Sequence, residues 1–229
     1  MRHVALLLLG TGLVISAQPA VAQVTVWNDR PAFTASAGPV TLETFGDRAI
    51  FALPSSINAN TNACGTLTPG DCVTPGYLQP GITYSLPNGG PLLIDAGGGF
   101  SGAFLDAATP VYGSIPPLRL ALWGSASFIG FDTNILAGTP LNVTVFFTGG
   151  SWSQEFAIAN ALDMQFLGFS RAAGDITAIE LESRNPAFFF AAVDNVTFNG
   201  GQTVVPEPST VVLVGAGLLG LVASRRRAR

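Results

Sequence analysis

Between residues 24 and 198 the chain alternates short apolar-rich runs with Gly, Pro, Asn and Asp clusters. In Leu141-Asn142-Val143-Thr144-Val145-Phe146-Phe147 the odd positions are apolar, the period-2 pattern of a strand with one face buried. Ile176-Thr177-Ala178-Ile179-Glu180-Leu181-Glu182 reads the same way, with Thr177, Ile179 and Leu181 on one face and Ile176, Ala178, Glu180 and Glu182 on the other. The pattern predicts further strands over Val24–Trp27, Thr41–Phe45, Ile82–Leu86, Leu92–Asp95, Gly102–Leu105, Leu118–Leu122, Phe128–Asp132, Glu155–Ile158, Gln165–Phe169 and Phe189–Phe198. Asn88-Gly89-Gly90 and Gly149-Gly150 predict tight connections. Helical signal is sparse. The best short helix is Asp29-Arg30-Pro31-Ala32-Phe33-Thr34-Ala35, where Asp29 supplies a cap and proline fits the first turn. Many short strands without strand–helix alternation predict an all-β, antiparallel two-sheet sandwich of jelly-roll type. Residues 54–80, rich in Pro, Gly and Asn, read as a surface loop.

The two ends follow other patterns. Arg2 and His3 precede the apolar run Val4–Leu9, carried on through Leu13, Val14 and Ile15. Pro19 breaks it, and Ala20-Val21-Ala22 stands before Gln23. Charge, apolar core and small-x-small site come in the order of a signal peptide cut between Ala22 and Gln23. The alternative is a buried N-terminal helix. At the other end, Thr210–Ala223 has no charge and is followed by Arg225, Arg226, Arg227 and Arg229. As a helix this run spans roughly 21 Å, short of the roughly 30 Å of a bilayer core. Snorkelling arginines and local thinning of the bilayer can make up the difference. The arginines favour the cytoplasmic side. The alternative, a core helix, would bury an end carrying four arginines. Gly215-Ala216-Gly217-Leu218-Leu219-Gly220 satisfies G-x-G-x-x-G but lacks the strand and the later acid of a dinucleotide site. Its glycines are better read as small residues of a membrane helix.

Val205-Pro206-Glu207-Pro208-Ser209, the apolar run and the Arg cluster together resemble the PEP-CTERM sorting signal. The resemblance covers residues 205–229 and implies that an exosortase recognises Pro206, Glu207 and Pro208. It divides the chain into a signal peptide (1–22), an extracytoplasmic sandwich (23–205) and a sorting tail (206–229). Three stretches of the body are similar to PEP-CTERM sandwich domains: Trp27-Asn28-Asp29-Arg30-Pro31-Ala32-Phe33, Ile129-Gly130-Phe131-Asp132 and the closing Ala192-Val193-Asp194-Asn195-Val196-Thr197-Phe198. The expected location follows: a precursor anchored in the inner membrane, then the cell surface or extracellular matrix of a Gram-negative-type bacterium.

Charge and composition narrow the chemistry. The body, 183 residues long, holds five arginines against thirteen acids, a net charge of −8. That argues against nucleic-acid binding through a basic patch. The chain's one histidine is His3, outside the body, so Ser-His-Asp and Cys-His catalysis and histidine metal sites have no residue to use. Cys64 and Cys72, in an Asn/Gly/Thr/Pro-rich stretch, predict a disulfide in an exported chain. Glu180 and Glu182 share a strand face roughly 6–7 Å apart, the one sequence-near pair suited to glycoside hydrolysis; the competing reading is a solvated sheet surface. Asp132 with Asn134, or Asp194 with Asn195, offers hard oxygen ligands for calcium, but these are also ordinary turn residues, and no metal ligand is assigned. Trp123 and Trp152 suit either sugar stacking or a core position. No cofactor is expected. The expectation is a non-enzymatic surface or matrix protein that binds exopolysaccharide; the alternative is an extracellular glycan-active hydrolase.

Overall fold

The computed structural model describes residues 23–45, 49–65, 70–87, 89–95, 104–107, 117–134, 140–158, 164–183 and 191–200. In chain order these form β1 (Thr25–Trp27), α1 (Arg30–Ala37), β2 (Thr41–Glu43), β3 (Ile50–Leu53), β4 (Ser56–Asn58), β5 (Ala63–Cys64), β6 (Cys72–Val73), β7 (Ile82–Ser85), β8 (Leu92–Asp95), β9 (Phe104–Ala107), β10 (Leu118–Ala126), β11 (Phe128–Asn134), β12 (Pro140–Phe147), β13 (Gly150–Ala157), β14 (Gln165–Ser170), β15 (Ile176–Ser183) and β16 (Ala192–Phe198). One sheet runs β1-β14-β11-β16-β9-β8-β3, with β2 also on β16; the other runs β13-β12-β15-β10-β7-β4. The last eight strands pair from the inside out: β12 with β13, β11 with β14, β10 with β15, β9 with β16, all antiparallel and in alternate sheets. That nesting is the jelly-roll order.

One core lies between the sheets and takes residues from both, among them Phe131 and Phe169 of the first and Tyr84, Leu120, Val143 and Ile179 of the second. Phe169 stands 6.1 Å from Trp152 and 5.9 Å from Phe156 across the gap. Each such large side chain stabilises the fold by roughly 1.5–3 kcal/mol through burial. The alternation predicted for residues 141–147 holds, since Leu141, Val143 and Val145 face the core. Phe147 and Gly150 pair, leaving a two-residue turn in which Gly149 takes φ 90°, a conformation that favours glycine.

Two expectations are corrected. Residues 54–80 are not merely a surface loop. Ile57 pairs with Tyr84 as part of β4, and Ile57, Val73 and Leu78 are buried in the core. Their apolar residues stand singly between polar ones, so no period announces them. On β15, Ile179 and Leu181 point inward as expected, but Thr177 does not join them. Both partner strands shift register beside it, so Ile176 is buried while Thr177 is half-buried, its hydroxyl donating to Phe146 O. An extra residue at such a shift exchanges the two faces.

Cys64 and Cys72 are directly opposite in the small β5·β6 ribbon and form the predicted disulfide. Among the described residues no helix is long and apolar enough to cross a membrane. The expected signal peptide, with Ala22, and the expected tail helix, with Pro206, Glu207, Pro208 and the four terminal arginines, lie outside the described residues.

Candidate functional site

The three stretches singled out in the body converge on the outer face of the eight-stranded sheet. Asp29 caps α1 by accepting from Ala32 N at 2.7 Å, with Pro31 in the first turn. This sets the fully buried Phe33 down on Gly130 and Gly168. A Cβ on Gly168 would lie 2.7 Å from the Phe33 ring, and one on Gly130 would lie 2.8 Å from the Phe166 ring. The two glycines therefore make the flat seat that the helix needs. Phe166, Phe128 and Trp27 close round Phe33 at centroid distances of 5.3, 5.6 and 6.2 Å. Trp27 Nε1 donates to Ser170 Oγ at 2.9 Å.

Beside that aromatic patch Arg30 reaches across the sheet. Its guanidinium pairs with Asp132 at 2.8 Å, donates to Thr197 Oγ1 at 2.9 Å and Asn195 O at 3.1 Å, and lies 4.4 Å from the Phe166 ring centroid. On β16, Asn195 and Val196 together oppose the single Phe131 of β11. The extra residue sits at Asn195, whose φ is 47°, a value asparagine tolerates better than most residues. This bulge places Asp194 opposite Asp132, with Asn195 Nδ2 donating to Asp132 at 2.8 Å and Asn195 N to Asp194 Oδ1 at 2.6 Å. Burial pushes Asp194 up to about 6; the Asn195 amide works against the shift, the Asp132 charge adds to it, and Arg30 opposes it.

Chemically this is a clamp. Asp132, Asp194 and Asn195, two of the acids and one amide considered for calcium, do come together, but a permanent cation, Arg30, already stands among them. Asn134 is buried, and Thr133 beside it donates to Ala192 O. Among the described residues no group of three or more His, Cys, Asp or Glu side chains has metal-site geometry. Arg30 was not anticipated as the hub. The signal was present, since each of the three family-like stretches carries a charged or amide side chain, but the pairing between them is a tertiary fact.

The outer face of the six-stranded sheet is different. Successive register partners place Ser56, Ser85, Arg119, Glu180, Thr144 and Ser153 in one row across all six strands. Arg119 pairs with Glu180 and lies 4.8 Å from the Phe146 ring centroid. Glu182 is exposed and accepts from Asn142 at 3.4 Å. The two glutamates thus have separate partners, and Glu180 is held as half of an ion pair. Trp123 lies on the same outer face four residues further along β10 from Arg119, 44% exposed, its ring oriented by donation from Nε1 to Thr83 Oγ1 at 2.9 Å. Trp152 turns the other way and packs on the core.

Glu43 is buried and accepts from the amides of Phe45 and Gln79. Burial raises its pKa above the ordinary carboxylate value, and those amides hold it back. Tyr84 is fully buried with no hydrogen-bond partner for its hydroxyl; burial and the nearby Glu43 charge push its ionisation far up.

Comparison with known proteins gives one family match. Residues 204–227 fit the PEP-CTERM protein-sorting motif, so the chain carries the sorting signal of exported proteins on the residues quoted for it above. No curated protein matches. Among solved structures, the solution structure of CtCBM11, reported with its dynamics and binding studies, is similar over 73% of this chain and 98% of that one, at 13% identity and a TM-score of 0.36.

Proposed function

We propose that this chain is an exported surface or matrix protein whose tail is read and cut by an exosortase, and whose body binds polysaccharide without acting on it. The observation that carries the reading is the sorting motif at residues 204–227. The signal peptide would send the body across the inner membrane and be removed after Ala22. The apolar run would then stop transfer, with Arg225, Arg226, Arg227 and Arg229 held inside. Two prolines keep Pro206-Glu207-Pro208 extended and stop the helix from growing back through it. Glu207 is thereby displayed near the outer membrane–water boundary, within reach of an enzyme in the same bilayer. The body then leaves the anchored precursor for the cell surface or matrix.

A non-catalytic body is supported by the lack of histidine beyond His3 and by the pairing of Glu180 with Arg119, which occupies one member of the sole sequence-near acid pair. Polysaccharide binding is supported by the oriented, exposed Trp123 beside the Thr83 hydroxyl, on the same outer face as the polar row and its ion pair. A fixed aromatic face takes the apolar face of a sugar ring while hydroxyls take its edges.

The test of sorting is immunoblotting of cell fractions from an exosortase-positive host and a matched deletion strain. Wild type converts to a shorter form only where the exosortase is present, and Glu207→Ala inserts but stays long. A wild-type chain that remains full length in the membrane of both strains refutes processing.

A further inference from the structure

Among the described residues the two large sheets end on five strands. Four are short: β1, β2 and β4 have three residues each and β3 has four. The fifth is β13, eight residues long, with Gly150, Ser151, Ser153, Gln154, Glu155 and Ala157 exposed. Its pairing with β12 runs from Pro140↔Ala157 to Phe147↔Gly150 without a register shift. Of the devices that blunt an edge it carries a single charge, Glu155, with no proline and no bulge. A long regular edge presents a row of backbone donors and acceptors to another strand.

The side chains say which strand fits. Ser151-Trp152-Ser153-Gln154-Glu155-Phe156-Ala157 is palindromic in character about Gln154: small, aromatic, polar, centre, polar, aromatic, small. An antiparallel strand of the same sequence centred on Gln154 sets Trp152 opposite Phe156, Ser153 opposite Glu155 and Ser151 opposite Ala157. Residues of equal parity meet, so faces are kept: Trp152 and Phe156 lie on the core side and Ser153 and Glu155 on the outer side. The strand's one charge, Glu155, meets a serine and not its own copy. A surface that is complementary to itself in this way is the mark of a two-fold, isologous contact.

We infer that β13 pairs with β13 of a second copy, antiparallel and centred on Gln154, joining the two six-stranded sheets into one twelve-stranded sheet. The aromatic pairs Trp152–Phe156 then close both ends of the contact on its core side. On the outer side the polar row that ends at Ser153 continues into Glu155 of the second copy, and so the two outer faces become one surface.

The experiment uses the full chain exported to a bacterial periplasm. The native cysteines are bonded to each other, so an added cysteine reports only on the contact. Gln154→Cys places two thiols opposite one another at the two-fold, within disulfide reach for paired strands. The expected result is a reducible band at twice the monomer mass on a non-reducing gel. Asn60→Cys, in an exposed turn away from this edge, stays monomeric. A Gln154→Cys chain that dimerises no more than Asn60→Cys, or that cross-links only to a different protein, overturns the inference. In parallel, the detergent-solubilised full chain should sediment as two copies, and Gln154→Lys, which opposes two ammonium groups at the centre, as one with unchanged thermal unfolding. A single-copy wild type, or a Gln154→Lys chain that remains paired, overturns it equally.

Discussion

Replacing Asp194 by asparagine should stabilise the body at neutral pH and do little at pH 4. Asp194 is 7% exposed and faces Asp132 across the bulge. Its pKa is pushed from 3.8 to about 6, mainly by burial. A carboxyl group whose folded pKa lies above its unfolded one binds its proton more tightly in the fold. Its favourable contribution is therefore complete below pH 3.8 and is lost as pH rises through 6. At about 1.4 kcal/mol per unit, the charged form costs the fold up to about 3 kcal/mol at pH 7.5. Asparagine removes the charge and keeps an oxygen to accept from Asn195 N, now at 2.6 Å. The expected gain is about 1–3 kcal/mol at pH 7.5, shrinking towards zero at pH 4. Glu43 shifts in the same direction, again through burial, and Glu43→Gln should show the same sign. Asp175 is lowered by its hydrogen bond from Arg171, so its contribution is lost only as pH falls towards acid values, below this window. The assay is urea unfolding of residues 23–205 by tryptophan fluorescence at both pH values. Equal changes in stability at pH 4 and 7.5, or a loss confined to pH 7.5, would refute the reasoning.

Gly168→Ala should destabilise by about 1–3 kcal/mol through overpacking, because its methyl would meet the Phe33 ring; thermal unfolding reads this directly. Phe33→Ala should cost about 3–5 kcal/mol, and protection of the α1 amides in hydrogen exchange should fall with it. Reducing Cys64–Cys72 should lower stability by about 2–3 kcal/mol in the loop-entropy model, seen as a lowered urea midpoint. Trp123→Ala should leave unfolding unchanged but abolish binding to native exopolysaccharide fractions in calorimetry; unchanged binding would remove Trp123 from the surface proposed for it.

The strands that could be read from sequence are those whose alternation is long enough to show a phase. Leu141–Phe147 is such a strand, and its inward residues agree with the structure. Ser56-Ile57-Asn58 has one apolar residue between two polar ones, so its place beside β7 comes only from the partner strand. The same limit applies to Thr177, whose face is set by register shifts on neighbouring strands. At the Arg30 clamp, each component stood in a stretch already noticed, but Arg30 and Thr197 are 167 positions apart, and no local pattern encodes that meeting. Trp123 and Trp152 had identical standing in sequence. Only the burial pattern across β10 and β13 sends one outward and the other to the core.

The first and last strands of the body share a row. Val26 pairs with Phe169, Phe169 with Ile129, and Ile129 with Phe198. At about 4.8 Å per strand spacing, chain entry and chain exit lie roughly 14 Å apart at one end of one sheet. Five residues, 201–205, separate Gly200 from Pro206, a reach of at most about 22 Å. On the proposed sorting, a body held by its tail would hang close to the bilayer by the end that would also carry the new amino terminus. Both proteolytic events would take place beneath the same narrow rim, and neither would require the sandwich to turn over. The far end of the sandwich would then stand away from the lipid throughout, free to meet the outside before the tether is severed.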